Sequence, residues 1–187
     1  MNKKTKALTE EQYKELIQTI RTGFLGTRPN ERVATALVIE ANLGLRIGDV
    51  LRLRLSDIVP DGDRYRLDIT EQKTGKKRTF TVPYQIYMYL ENYCLRNGIG
   101  KDERIFPFTE RLVQLILSRA AEYLGYEDIS THSFRKFFAT SIYLNNDYDI
   151  VLVQQLLQHS STAITQKYIG IEPKRLKEAL EKQIRLF

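Results

Sequence analysis

Cysteine is almost absent from this chain. Cys94 stands alone among 187 residues, which excludes an intramolecular disulfide framework and fits a reducing cytosol. Its neighbours Tyr87, Leu90 and Leu95 predict a buried core thiol rather than a nucleophile. Histidine is nearly as scarce. His132 and His159 lie far apart, with no cysteine or acidic cluster at ligand spacing, so they make a poor metal site and zinc is rejected. There is no secretory hydrophobic segment and no apolar run long enough to cross a bilayer, which predicts a soluble, cytoplasmic protein with no membrane partner. Internal repeats and low-complexity tracts are also missing.

What is present suits one ordinary globular core. A length of 187 residues with 42% hydrophobic content favours a single domain. Lys and Arg number 29 against 23 Asp and Glu, giving a net charge of +6 and a pI near 9.3. That balance suits a polyanionic partner, although many proteins that bind no nucleic acid share it.

The periodicity is mostly helical. Residues 1–7 read as a flexible basic arm, and Thr9 with Gln12 predicts a capping box ahead of the stripe Leu16, Ile17 and Ile20. A second helix is expected from about Asn30 to Leu43, stopped by Gly44, so that Arg46 falls in a tight corner before helical spacing resumes over Ile47–Leu53. Alternating β-branched and aromatic residues over 65–69 and 77–82 predict a β-hairpin with Lys73 near its tip. Further helices are expected over about 83–96, 109–124, 132–144, 150–158, 162–168 and 173–186. The fold class is therefore mainly α with a small antiparallel β-hairpin or sheet, an α+β arrangement.

A few side chains carry chemistry in combination that none carries alone. A phosphodiester gathers negative charge on its non-bridging oxygens as it is attacked, so a site that cuts it needs fixed cationic donors around a nucleophile. His132 and Arg135, three apart at a helix start, share one face, and Phe134, Phe137, Phe138, Ile142 and Tyr143 predict a strongly buried side to that helix. His159 and Tyr168 follow on short helical pieces. Each has a plainer reading: Arg46 as a helix C-cap, His132 as an ordinary helix start, Tyr168 as one of 11 packing tyrosines, Lys73 as a solvated turn residue equal to Lys76 and Lys77.

Five segments decide between the two sets of readings: LGLRIGDVLRLRLSDI with Arg46, EQKTGKKR with Lys73, THSFRKFFAT with His132 and Arg135, LLQHSS with His159, and TAITQKYIG with Tyr168. In that order, over about residues 8 to 170, they resemble the tyrosine recombinase, or phage integrase, family. The resemblance implies the family's catalytic-domain fold and metal-free, cofactor-free cleavage and rejoining of double-stranded DNA, with site-specific strand exchange. It assigns Tyr168 as the nucleophile forming a 3′-phosphotyrosyl link, and Arg46 and Arg135 to the phosphate. His132 and His159 become hydrogen-bond donors or acid and base. The family's lysine protonates the leaving 5′ oxygen; Lys73 fits that place best, with Lys76 as the substitute. Asp49, three residues after Arg46, is positioned to hold its guanidinium. Other recombinase protomers, in a tetrameric synapse on DNA, are the implied protein partners, and the helix over 173–187 either packs on its own domain or, as the resemblance suggests, docks on a neighbour. The N-terminal DNA-clamping domain of most members is missing from the match, which fits either a fragment or a stand-alone catalytic domain. Two rivals share the residues: a non-catalytic DNA-binding protein that keeps the fold, and a type IB topoisomerase, which would relax one duplex without a defined site.

Overall fold

The computed structural model describes residues 5–73, 75–170 and 181. They form two compact units, Met1–Phe138 and Ala139–Phe187, with the division falling inside one helix.

In the first unit, α1 (Glu10–Thr22) begins with the expected capping box. The Thr9 side chain accepts from the Gln12 N–H at 3.1 Å and the Gln12 carboxamide accepts from the Thr9 N–H at 3.0 Å. Its buried Leu16, Ile17 and Ile20 face α2 and α5. Helix α2 (Glu31–Leu43), capped by Asn30, buries Val33, Ala34, Leu37 and Ile39 completely and is the apolar centre of this unit. Gly44 ends it in the left-handed region at φ 58°, and a Cβ there would lie 2.3 Å from the Phe138 ring. Only glycine meets both demands. Thr5 and Lys6, the end of the basic arm, are held: Thr5 O accepts from Lys136 Nζ at 2.7 Å, and Lys6 pairs with Asp128 at 3.6 Å.

The helical spacing read over Ile47–Leu53 yields only a single turn, α3 (Ile47–Val50). Leu51 and Arg52 then form a turn and Arg54 is extended at φ −118°, with Leu51, Leu53 and Leu55 all buried, and the Asp57 carboxylate takes the Arg54 N–H at 2.7 Å to set a 3₁₀ turn over Leu55–Asp57. The hairpin is in fact two-thirds of an antiparallel sheet: β1 (Ile58–Asp61), β2 (Arg64–Thr70) and β3 (Lys77–Val82), in the order β1-β2-β3. β1 escaped the alternation test because it is four residues long and contains Pro60, which an edge strand tolerates. Leu67 sits opposite Ile58 and is fully buried.

Pro83 caps α4 (Tyr84–Asn97), which buries Cys94 on its inner side; burial pushes that thiol's pKa up. Thr109 caps α5 (Glu110–Tyr123). Helix α6 (Thr131–Asn145) starts in this unit and ends in the second.

The second unit contains α7 (Ile150–Leu157), whose first N–H groups are taken by Asp149, and α8 (Thr162–Ile169), capped by Ser161 and ended by Gly170. The two helices pack together. The helix expected over 173–186 and residues 1–4 of the arm lie outside the described residues. Among those described, no helix is long and apolar enough to cross a membrane.

Candidate active site

Arg46 reaches its place through a corner. The left-handed Gly44 turns the chain out of α2, Arg46 adopts an extended conformation at φ −75°, and α3 starts directly after it. Arg135 supports the same corner from one turn into α6: fully enclosed, it donates from Nη1 to the Gly44 carbonyl. The first turn of α6 is itself tied down, with Ser133 Oγ accepting from the Ser130 N–H at 3.1 Å. His132 and Arg135 are thus carried by a fixed element, as their flanking apolar residues predict.

Arg46, Lys73 and His132 line one open pocket of about 490 Å³, together with Asp49, Gln72, Glu110 and Gln114. Lys76 does not line it. Burial lowers the pKa of His132 below its ordinary value of 6.5, and the charges of Arg135, Lys73, Arg46 and Lys136 lower it further. The imidazole is therefore held neutral by a cationic surround, and an arriving phosphate anion would reverse that bias. Four of the six residues singled out from the sequence thus come together within the first unit.

The other two lie in the second unit and meet there. The rings of His159 and Tyr168 stand edge to face, with centroids 5.1 Å apart and planes at 81°. His159 Nδ1 is 3.1 Å from Thr165 Oγ1, and Thr165 also donates to the Ser161 carbonyl at 3.2 Å, which fixes the imidazole on the turn leading into α8. Tyr168 is half-buried beside it, less open than its position before Gly170 suggests. Tyr143 and Tyr148 in this unit pack against each other, centroids 5.4 Å apart.

One expected contact is replaced. Asp49 does not pair with Arg46; its carboxylate accepts from the Gln72 N–H at 2.9 Å and so stitches α3 to the turn bearing Lys73. The anion on Arg46 is Glu71, at 2.5 Å from Nη1, whose second oxygen lies 3.4 Å from Arg78 Nη1. Arg78 is only 3% exposed, and burial, with Arg135 and Arg46 adding to it, pulls its pKa down to about 10. Glu71 and Arg78 escaped the sequence reading, although a lone acid opening the basic turn EQKTGKKR, and an arginine on the strand face that also buries Val82, were signals. Behind Arg135, burial raises the carboxyl of Glu40 well above the usual range, a shift that the Arg135 charge opposes. The arrangement gathers the donors Arg46, Lys73 and His132 at one open pocket, a set of groups that suits a phosphate.

The fold is that of the tyrosine recombinase catalytic domain. The crystal structure of the XerH site-specific recombinase bound to its palindromic difH substrate, a post-cleavage complex, superposes with a TM-score of 0.71 at 22% identity, over 96% of this chain and 54% of that one, a likeness that shows the fold alone. The chain belongs to the phage integrase family, whose sequence pattern matches residues 6–175. A probable integrase/recombinase, YoeC, of Bacillus subtilis is 33% identical over 163 residues, 84% of this chain and 87% of YoeC. The tyrosine recombinase XerA of Pyrococcus furiosus is 30% identical over 95% of this chain, which spans 61% of XerA's length.

Proposed function

We propose that this chain is a site-specific DNA recombinase of the tyrosine type, acting in the cytoplasm on double-stranded DNA together with other protomers of its kind. What supports the reading is that Arg46, Lys73 and His132, from three separate segments, line one pocket, while Arg135, one turn along the same helix as His132, is buried on the Gly44 carbonyl at the Arg46 corner. A scissile phosphate takes that place. Arg46 and Arg135 offset the charge that builds on its non-bridging oxygens, and His132 donates to one of them.

Tyr168 Oη attacks phosphorus, aided by His159, whose ring stands against it. A phenol titrates at roughly 10, so the cationic surround must favour the phenolate or a base must take its proton. The P–O5′ bond breaks as the Tyr–O–P bond forms, and Lys73 delivers a proton to the departing 5′ oxygen. The 3′-phosphotyrosyl bond stores the energy of the broken link, and a 5′-hydroxyl from a second duplex reverses the step. Side-chain cations supply the charge stabilisation, and because the covalent link conserves the energy of the broken bond no high-energy cofactor is needed. The chain works as a catalytic domain, and a grip that encircles DNA comes from assembly with further protomers.

The test is a covalent trap. A pool of duplexes with randomised centres and 5′-bridging phosphorothiolate links, whose thiolate leaving group cannot religate efficiently, is incubated with the protein in excess EDTA. A denaturant-resistant protein–DNA adduct with release of 5′-thiol ends is expected. Binding without any adduct would make the chain a non-catalytic DNA-binding protein, and breaks that appear only with magnesium and leave no adduct would overturn the chemistry.

A further inference from the structure

The turn between β2 and β3 buries one carboxylate, and its contacts run in three directions. The side chain of Glu71 is fully enclosed, with one oxygen 2.5 Å from Arg46 Nη1 and the other 3.4 Å from Arg78 Nη1. Its backbone closes the turn itself: its N–H donates to the Lys76 carbonyl and its carbonyl accepts from the Gly75 N–H, each at 2.9 Å. Lys73 lies inside that closed turn, two residues on.

We infer that Glu71 is a positioning residue, fixing the Arg46 guanidinium towards the phosphate pocket and tying it to the turn that carries Lys73. The inference rests on the proposed recombinase reading of that pocket. Arginine has a long stem with much rotamer freedom to lose, and a half-buried guanidinium beside other cations would swing towards solvent without an anion to hold it. Glu71 engages Nη1, which leaves the rest of the fork to be presented to a phosphate oxygen. Arg78 Nη1, 3.4 Å from the other carboxylate oxygen, gives Glu71 a second cationic partner, so the carboxylate faces two guanidinium groups. One side chain thereby sets the spacing between the cation that grips the phosphate and the lysine that meets the leaving oxygen. Asp49, bonded to the Gln72 N–H, is a second stitch between the same two segments.

The test uses Glu71→Gln, which keeps the volume and loses the charge, and Glu71→Asp, which keeps the charge and shortens the reach. Single-turnover cleavage of a duplex recovered from the covalent trap should fall about 10²-fold in Glu71→Gln, the scale of a misplaced contact group, with the DNA dissociation constant nearly unchanged. Glu71→Asp should recover part of the rate. In an Arg46→Ala background the further loss from Glu71→Gln should vanish, because there is no guanidinium left to position. A readout independent of cleavage is ¹⁵N relaxation of the Arg46 Nε–H, which should report a rigid side chain in the parent and a mobile one in Glu71→Gln. An Arg46 side chain equally ordered in both, or additive losses in the double variant, overturns the inference. If the parent protein forms no adduct at all, the recombinase reading fails while the relaxation measurement still decides the role of Glu71.

Discussion

Lys73 and His132 carry the sharpest expectations at the scale of single residues. If Lys73 protonates the leaving oxygen, Lys73→Ala slows cleavage of a normal duplex by about 10² to 10⁴ yet cleaves the 5′-bridging phosphorothiolate at nearly the parent rate, since a thiolate leaves without a proton. Equal defects on both substrates would remove Lys73 from that role and send the same comparison to Lys76. His132 is held neutral by burial and by neighbouring cations, so its folded pKa lies below the ordinary 6.5. Between that depressed value and 6.5 the unfolded chain binds more protons than the folded one, and stability therefore rises with pH across this window and is lost as the pH falls through it. An NMR titration of the imidazole should show the depressed value, and Arg46→Ala should raise it by removing one of the named charges. A titration at or above the ordinary value would contradict the cationic pocket.

At the scale of elements, the corner between α2 and α3 controls the site. Gly44→Ala imposes a left-handed alanine, costing about 1–2 kcal/mol, and adds a methyl 2.3 Å from the Phe138 ring, beside the carbonyl that Arg135 grips. A thermal melt should show lower stability, and cleavage should fall beyond what the lost stability explains; an unshifted melting temperature would show that the corner is looser than its geometry. This corner was legible in the sequence, because a left-handed stop after a strongly apolar helix has a local cause, and so was the Thr9–Gln12 box. The single turn of α3 and the edge strand β1 were not. Their periods are short, and β1 is settled by long-range pairing with β2 rather than by local preference. The candidate residues were singled out by resemblance to the family's motifs, since taken alone each has a plainer reading and Lys73 is equal to Lys76 and Lys77. The Glu71–Arg46 pair was not legible, because residues 25 apart are brought together only by the sheet, and an acidic residue nearer in sequence, Asp49, competed for the same assignment.

For the whole molecule the relevant quantity is charge. The net +6 and the cationic pocket predict DNA affinity that falls linearly with the logarithm of salt, with a slope of roughly −0.9 per phosphate neutralised, and weak binding by an isolated chain on random duplex. Filter-binding or fluorescence titrations at several salt concentrations check this, and affinity indifferent to salt would argue against a backbone-gripping surface.

The most direct measurement of the central claim is to find which atom carries the DNA. The trapped adduct formed in EDTA is digested with nuclease and protease, and the modified peptide is sequenced by mass spectrometry. The account predicts a 3′-nucleotide remnant on the tyrosine of the peptide containing Thr165–Tyr168, and no adduct from Tyr168→Phe, which loses one oxygen and retains the fold and DNA binding. A remnant on Tyr143 or Tyr148, or an adduct that persists in Tyr168→Phe, would contradict it.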